Sequence, residues 1–175
     1  AKELNGPFEM TVGKVRRFGD GFDRIVIACD SGRSWRVSLD RKYKAGRPAK
    51  PPHLVEQLRQ AMEALRDEAH VFEGPRWGED PISGDGLFYE ADDVLGTVTR
   101  WATERGHSVR IVSEDWHLAQ LAGPAVELQK PDGRIFTADQ VAAELGVRPE
   151  RVVDLKAFAG DKSNNYKPYP GERPG

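Results

Sequence analysis

Arg24-Ile25-Val26-Ile27-Ala28-Cys29 is a β-branched and almost continuously apolar run that ends at Asp30. Apolar character without alternation is typical of a strand that is covered on both faces, as the strands of parallel sheets are. Ser108 to Val112 has the same character and runs into Ser113-Glu114-Asp115. The sequence therefore predicts two buried strands, each followed by an aspartate.

Segments with helical spacing separate and follow these strands. Thr137 and Gln140 form a capping-box pair, and Gly146 lies where that helix would end. The predicted helices are Pro52 to Glu68, Ala91 to Glu104, Ala138 to Leu145 and Pro149 to Gly160, and the remaining predicted strands are His70 to Phe72 and a hairpin of Ala125 to Leu128 with Arg134 to Phe136. Alternating strands and helices predict an α/β fold with a mostly parallel, Rossmann-like sheet and helices on both faces. Functional residues gather at the carboxyl ends of such strands, where Asp30 and Asp115 fall.

The bulk properties place the chain among globular intracellular proteins. Its 175 residues suffice for one domain with its own core, which we expect over 1–163, with a flexible tail rich in proline and glycine over 164–175. No apolar run of about 18 residues exists to span a membrane, and the first residues lack a secretory signal, so we expect a cytoplasmic address. The single cysteine, Cys29, excludes an internal disulfide and a zinc site built on cysteine pairs.

Basic and acidic residues are separated along the chain. Between Arg33 and Lys50 five further cationic residues face only one aspartate, and between Glu79 and Asp93 acidic residues crowd together. Two solvated surface patches explain this pattern as well as a functional site does. The cationic residues are Arg36, Arg41, Lys42, Lys44 and Arg47, and the acidic ones are Glu79, Asp80, Asp85, Glu90, Asp92 and Asp93.

Carboxylates that follow two strands, begin one helix and follow another are able to converge on one cleft. Hard divalent ions such as Mg²⁺ or Mn²⁺ take such oxygen ligands, and two ions about 4 Å apart support phosphodiester hydrolysis. The alternative is that Glu90, Asp92 and Asp93 only favour the positive end of a helix dipole. Spacing alone leaves both interpretations open.

Several motifs resemble one family, in that family's order. Glu90-Ala91-Asp92-Asp93-Val94-Leu95-Gly96 resembles the central acidic motif of the 5′-3′ exonuclease domain of bacterial DNA polymerase I and of phage flap endonucleases. Other segments resemble its second acidic strand, its tyrosine-lysine-x-x-arginine segment, its third acidic strand and its last acidic motif: Ile27-Ala28-Cys29-Asp30, Tyr43-Lys44-Ala45-Gly46-Arg47-Pro48, Ser113-Glu114-Asp115 with Leu118-Ala119-Gln120-Leu121, and Gly160-Asp161-Lys162-Ser163-Asn164-Asn165. The resemblance implies a PIN-like fold and covers roughly Asp23 to Gly171.

The resemblance also implies roles for individual residues. It assigns one or two Mg²⁺ or Mn²⁺ ions to six carboxylates, with the scissile phosphate held by Lys44 and Arg47 and DNA contacted by a wider basic segment. The implied metal ligands are Asp30, Glu90 and Asp92 for a first site and Asp93, Asp115 and Asp161 for a second. The implied DNA-binding residues are Arg36, Arg41, Lys42, Tyr43, Lys44 and Arg47. Tyr43 is either a base-stacking residue or a core or rim aromatic.

Four departures from the family pattern qualify these roles. Nothing before Phe8 resembles the family's first strand and its aspartate, and His117 and Asn164 replace two aspartates of the second site. Both replacements remove negative charge, although histidine and asparagine still offer ligand atoms. The helix-hairpin-helix module that follows in the family has no counterpart here. The turn-rich segment Gly74 to Gly86 predicts an irregular inserted loop, interpreted as a tolerated surface insertion.

Three functions follow as hypotheses. The first is a metal-dependent, structure-selective 5′ nuclease, a 5′-3′ exonuclease or flap endonuclease of bacterial or phage DNA replication or repair, acting on branched or 5′-flap DNA. The second is a noncatalytic DNA-binding module, or one that depends on a partner chain to complete its fold. The third is an unrelated α/β phosphotransfer or phosphatase domain, which lacks a glycine-rich phosphate loop here.

Overall fold

A computed structural model describes residues 6–169 of the chain. The helices are α1 (Gly6–Gly19), α2 (Pro52–Ala64), α3 (Ala91–Thr103), α4 (Ala138–Leu145) and α5 (Val152–Ala159). The strands are β1 (Val26–Cys29), β2 (Arg33–Ser34), β3 (His70–Glu73), β4 (Arg76–Glu79), β5 (Gly86–Phe88), β6 (Val109–Val112), β7 (Val126–Gln129) and β8 (Ile135–Phe136). Short 3-10 helices cover Trp35–Ser38, Trp116–Leu121, Pro149–Arg151 and Lys162–Asn164.

The strands form three small sheets, and most of their pairings are parallel. β1 pairs with β3, β2 pairs with β5, and β6 pairs with β7, all in parallel register. The antiparallel pairs are β4 with β5 and β7 with β8. The α/β class predicted from sequence is confirmed, with its strands divided among three sheets instead of one continuous sheet.

The core is divided as the sheets are. One cluster surrounds β6 and β7 and includes Ile111, Leu128 and Val141, and a second joins α1 to α2 through Val12, Ala61 and Leu65. Helix α3 contacts both β1 and β6, so it links the part of the core near β1 to the cluster around β6 and β7. No helix within residues 6–169 is long and apolar enough to cross a membrane.

Several local predictions are confirmed. Thr137 accepts a hydrogen bond from the backbone of Gln140, and Gly146 ends α4 in the left-handed conformation. β7 and β8 form the predicted hairpin. α1 had no counterpart among the predicted elements, because Gly6 and Gly13 weaken its helix propensity and only one of its residues, Val12, is fully buried. Residues 164–169 of the predicted tail are described and fold back, with the Tyr169 backbone donating to Phe158; residues 170–175 lie outside the described range, and the tail's flexibility stays a prediction.

The prediction of an irregular loop from Gly74 to Gly86 is wrong. β4 and β5 form an antiparallel hairpin there, with a register shift between Arg76 and Gly78. The base of this β4–β5 hairpin is tight, because a Cβ added to Gly74 would lie 1.9 Å from the Tyr89 carbonyl oxygen. The turn-forming residues of this segment lie at the ends of two short strands.

Asp80 fixes the tip of the β4–β5 hairpin to the rest of the chain. Its carboxylate is buried, with a relative exposure of 1% for the residue. It accepts hydrogen bonds from the guanidinium groups of Arg33 and Arg41 and from the Ile82 backbone. The hydrogen bond from Arg41, followed by the bond from the Ile82 backbone, holds the pKa of Asp80 well below its ordinary value despite burial. The hairpin is therefore a rigid element.

We expect Asp80→Asn to lower the melting temperature, because two arginines lose their shared carboxylate. Since the pKa of Asp80 is depressed in the folded state, its contribution is complete above the unfolded-state pKa of about 4 and is lost as the pH falls below it. The difference in melting temperature between wild type and variant should stay constant from neutral pH down to about 5 and narrow below about 4.

Asp85→Asn is the matched control, because Asp85 lies in the same turn with a side chain that is 66% exposed. It should melt close to wild type. Equal melting temperatures for wild type and Asp80→Asn at neutral pH would show that Asp80 does not anchor the hairpin.

Candidate active site

The start of α3 is fixed by two carboxylates. Asp93 accepts a hydrogen bond from the Glu90 backbone at 2.8 Å, and Asp30 accepts one from the Ala91 backbone, also at 2.8 Å. Both acceptors satisfy N–H groups that a helix start leaves without partners. Asp30 follows β1 directly, so it ties the carboxyl end of this strand to the acidic motif.

A cleft of about 530 Å³ opens beside this helix start and is called the acidic cleft below. Its walls come from four distant parts of the chain. They carry Arg36, Tyr43, Lys44, Arg47, Glu90, Asp92, Asp93, Arg100, Asp115, His117, Asn164 and Tyr166, among other residues. The basic segment, the central acidic motif and both altered positions of the second site therefore meet in one place.

Glu90 is buried and bonded to cationic and hydroxyl neighbours. The Lys44 ammonium donates to Oε1 at 2.7 Å, and the Tyr43 hydroxyl donates to Oε2 at 2.8 Å. Arg36 adds a longer bond at 3.2 Å. Burial, then the hydrogen bond to Glu90, raises the pKa of Tyr43, so its phenol stays a donor at neutral pH.

Arg36 and Asp93 form a bidentate ion pair at the edge of the acidic cleft. Arg36 Nη1 lies 2.8 Å from Asp93 Oδ2, and Nη2 lies 2.7 Å from Oδ1. Trp35 donates its indole N–H to the same carboxylate at 3.1 Å. Partial burial alone would raise the pKa of Asp93, but the hydrogen bonds from Arg36, the Glu90 backbone and Trp35 lower it. Asp93 is thus ionised and held in place.

Asp92 is in a different situation from its neighbours. Within residues 6–169 its half-buried carboxylate makes no hydrogen bond and no close ion pair, although Lys44 and His117 attract it from a longer distance. Burial, then repulsion from Asp115 and Glu90, outweighs this attraction and raises the pKa of Asp92. A half-buried carboxylate that lacks a hydrogen-bond donor and lies among like charges is a position that favours a cation.

His117 joins two acidic residues. Its Nδ1 lies 2.7 Å from Asp115 Oδ1 and its Nε2 lies 2.9 Å from Asp161 Oδ2. Both ring nitrogens act as donors only when the ring is protonated. The hydrogen bond to Asp115 raises the pKa of His117 despite burial, and the same bond lowers the pKa of Asp115 to about 2. The His117 ring thus lies between two carboxylates.

The turn that carries Lys44 is held by the last acidic motif. Lys44 has φ 53°, a left-handed conformation that is uncommon for a residue with a side chain. Its backbone N–H donates to the Asn164 carbonyl, and the Asn165 side chain donates to the carbonyls of Lys42 and Ala45, each at 2.8 Å. Arg47 reaches the Asn164 side chain at 3.3 Å. The contacts to Asn164 and Asn165 stabilise a strained turn that directs Lys44 into the acidic cleft.

The other predicted residues lie outside the acidic cleft or, like Tyr43, are part of the core. Asp30 and Asp161 do not line the cleft, but Asp30 accepts from the backbone of Ala91, next to Glu90, and Asp161 contacts the cleft residue His117. Arg41 is bound to Asp80, and Lys42 is exposed outside the cleft. Tyr43 is 5% exposed and packs with Val37 and Leu87, which is the position of a core aromatic.

Some residues that line the acidic cleft were not predicted from the sequence. Arg100 lies seven residues after Asp93 on α3, and Thr97 lies four after it, so helical periodicity was a usable signal for both. Tyr166 packs on Tyr43 with ring centroids 5.8 Å apart. No sequence pattern indicated Tyr166, because its contact depends on the chain returning after α5.

The donor chemistry of the acidic cleft suits a hard divalent ion, since its acidic ligand atoms are carboxylate oxygens. Its present geometry does not form a closed ligand cage: no three histidine, cysteine, aspartate or glutamate side chains of the described residues are placed to hold one ion. The cause is visible in the contacts, because Lys44 and Arg36 hold Glu90 and Asp93, and His117 holds Asp115. Among the described carboxylates that line the cleft, Asp92 alone makes no hydrogen bond or close ion pair.

Comparison with known proteins gives one consistent family. The model of the family described as 5′-3′ exonuclease, N-terminal resolvase-like domain, matches residues 5–146. DNA polymerase I of Bacillus caldotenax is 35% identical over 156 residues, covering 84% of this chain, and DNA polymerase I of Bacillus subtilis (strain 168) is 31% identical over 153 residues, also covering 84%. The chain spans 16% of the length of each of these relatives.

Solved structures show the same fold. The T5 D15 protein crystallised with metal ions superposes with a TM-score of 0.75 at 19% identity, covering 98% of this chain and 68% of that one. A bacteriophage T5 D15 flap endonuclease complex with DNA and metal ions also superposes with a TM-score of 0.75 at 19% identity, covering 97% of this chain and 65% of that one. This agreement confirms the PIN-like α/β fold predicted from the sequence.

A double-mutant cycle on Arg36 and Asp93 tests the ion pair at the cleft edge. We expect Arg36→Met and Asp93→Asn each to reduce the free energy of unfolding, with a coupling energy of about 1–3 kcal/mol because the pair is charged, bidentate and largely shielded from water. Denaturant unfolding measures both quantities.

Arg100→Met with Glu104→Gln provides the comparison cycle. That pair is exposed, with side-chain exposures of 82% and 55%, so its coupling should be small. A coupling between Arg36 and Asp93 as weak as this one would refute their structural role.

Proposed function

The chain belongs to the 5′-3′ exonuclease family, and from that membership we propose that it is a metal-dependent, structure-selective 5′ nuclease that hydrolyses phosphodiester bonds in branched or 5′-flap DNA. One observation carries the proposal: Asp92 presents a half-buried carboxylate without a hydrogen-bond donor in a cleft that also carries Lys44 and Arg47. One similar protein was crystallised with metal ions and another in complex with DNA and metal ions, which agrees with this assignment. A cytoplasmic role in bacterial or phage DNA replication or repair follows from the same proposal.

We assign the metal, one or two Mg²⁺ or Mn²⁺ ions, first to Asp92, Glu90 and Asp115. These three carboxylates interact electrostatically across the acidic cleft, since Glu90 and Asp115 both raise the pKa of Asp92. When bound, a divalent cation supplies neutralisation of the phosphodiester charge and a more acidic water. The choice of ions follows from the all-oxygen donor set.

We propose that the other three predicted metal ligands also position neighbouring residues of the cleft. Asp30 holds the start of α3, Asp93 holds Arg36, and Asp161 orients His117. Each contact fixes the direction of a neighbouring residue of the cleft. Asn164 contributes in the same way, because it accepts from Arg47 and from the Lys44 backbone.

Lys44 and Arg47 are proposed to hold the scissile phosphate. The Lys44 ammonium lies 2.7 Å from Glu90, so an entering phosphate would compete with this carboxylate for the same cation. If Lys44 turned to phosphate, Glu90 would keep its hydrogen bonds from Tyr43 and Arg36, and one of its oxygens would be available to hold a metal. Positive charge then stabilises the negative charge that develops on the phosphate during hydrolysis.

Among the predicted DNA-binding residues, contacts separate two groups. Arg36 and Arg41 bind buried or half-buried carboxylates, and Tyr43 is a core residue. We therefore propose that Lys42, Lys44 and Arg47 supply the phosphate contacts, while Arg36 and Arg41 act on DNA through their outer faces.

The second candidate is a DNA-binding module that needs a partner chain to complete its fold. The observation that favours it is in the sheets: β1 pairs only with β3, and β6 pairs only with β7, among the described strands, although α3 contacts both. Parallel edges without a neighbour are positions where an added strand gains hydrogen bonds. A partner that adds a strand there would join the two halves of the core.

Cleavage of a 5′-labelled flap DNA in Mg²⁺, and separately in Mn²⁺, tests the first candidate. We expect cleavage by wild type and a loss of at least about 100-fold in Asp92→Asn, since removal of one electrostatic catalytic contact costs on the order of 10²–10³ in rate. Chelation by EDTA should abolish the activity of wild type.

Asp67→Asn is the control for contaminating nuclease, because Asp67 is exposed and does not line the cleft. Its preparation should cleave like wild type. Full activity in Asp92→Asn would overturn the metal assignment, and binding without cleavage in either metal would favour the partner-dependent candidate.

A further inference from the structure

An exposed group of aromatic rings lies beside the acidic cleft and is not used by the proposed chemistry. Trp77 on β4 is 43% exposed, and Tyr89 is 37% exposed. Trp35 stacks on Trp77 with ring centroids 5.8 Å apart and an interplanar angle of 28°, and it contacts Tyr89 at 6.2 Å. Trp35, Trp77 and Tyr89 are called the aromatic platform below.

The aromatic platform is continuous with the acidic cleft. Trp35 donates its indole N–H to Asp93, and the Arg36 guanidinium lies over the Trp35 ring at 4.9 Å from its centroid. Tyr89 directly precedes Glu90. The aromatic platform therefore adjoins three residues that line the acidic cleft, although its own rings do not line it.

The platform is also held in place by contacts within the protein. Trp77 lies on the β4–β5 hairpin, which Asp80 anchors through Arg33 and Arg41, and the hairpin base is closed by the Tyr89 N–H donating to Pro75 at 3.0 Å. An aromatic ring that is already ordered loses little conformational freedom when a ligand stacks on it. Large exposed indoles in a fixed arrangement commonly indicate a binding surface.

From these observations we infer that the aromatic platform stacks unpaired nucleobases of the DNA substrate, with Trp77 as its principal contact. Every base has a π face, so indole rings bind single-stranded DNA without reading its sequence. The Arg36 guanidinium lies over the Trp35 ring, and paired aromatic and guanidinium groups are typical of single-strand binding surfaces. The inference rests on the proposed function and specifies the substrate: DNA with an unpaired arm is preferred over fully paired DNA.

Binding measured in EDTA separates this inference from catalysis. The probes are a fluorescently labelled 5′-flap DNA, a nicked duplex without the unpaired arm, and an oligonucleotide of twelve thymidines. We expect Trp77→Ala to bind the flap and the oligonucleotide about 5- to 100-fold more weakly than wild type, the range for loss of one stacked base. Its affinity for the nicked duplex should be unchanged. Trp77→Phe should recover most of the lost affinity because it keeps an aromatic ring.

Intrinsic tryptophan fluorescence gives a second readout. Thymidine oligonucleotide should quench wild type in a saturable manner, and Trp77→Phe should lose most of that quenching while still binding. Ile82→Ala is the matched control, because Ile82 is an exposed apolar residue of the same hairpin at 80% exposure. It should bind and quench like wild type.

Three outcomes would overturn the inference. The first is equal affinity of Trp77→Ala and wild type for every DNA, as expected if the platform serves a protein partner. The second is that Trp77→Ala binds the flap and the nicked duplex more weakly by the same factor. The third is the absence of saturable quenching in wild type. None of them touches the proposed function, which Asp92-dependent cleavage decides by itself.

Discussion

The acidic cleft depends on how its buried negative charge is compensated. Glu90 and Asp93 lie at the first turn of α3, and Lys44, Arg36 and the Tyr43 hydroxyl donate hydrogen bonds to them. Without these donors, the neighbouring carboxylates would repel one another strongly at low dielectric. Lys44 and Glu90 are 46 residues apart in sequence, so compensation of charge is also a tertiary constraint. It brings the turn around Lys44 and the start of α3 to one wall of the cleft.

These contacts stabilise the acidic cleft, and some of them would be exchanged when a metal ion or a phosphate binds. Glu90, Asp93 and Asp115 each make a close contact with a basic side chain, whereas Asp92 makes none among the described residues and its pKa is raised, chiefly by burial. A divalent ion near Asp92 would replace repulsion by attraction, and a phosphate near Lys44 would release one oxygen of Glu90. Substrate and metal would thus act on the same contacts. His117, with a carboxylate on each ring nitrogen, adds a further contact of this kind.

Local patterns predicted most of the fold and the membership of the cleft. Periodicity, capping residues and turn residues are local signals, and they predicted three parts of the fold correctly. These parts are the two strands that precede Asp30 and Asp115, the capped helix α4 and the β7–β8 hairpin. The family resemblance of the motifs was enough to group Lys44 and Glu90 in one site, and their contact confirms that they meet. What could not be read depends on tertiary contact. The β4–β5 hairpin looked irregular because its anchor is the buried Asp80, whose partners Arg41 and Arg33 lie 39 and 47 residues earlier in the chain. The position of Trp77 likewise depends on its stacking against Trp35.

We propose that Asp92 makes the acidic cleft a divalent metal site. Direct titration with Mn²⁺, followed by electron paramagnetic resonance of the free ion, measures metal binding without DNA or catalysis. We expect saturable binding by wild type and a loss of affinity of at least about tenfold in Asp92→Asn, because a carboxylate ligand becomes a neutral amide. Identical binding curves for the two proteins, or no saturable binding by wild type, would contradict it.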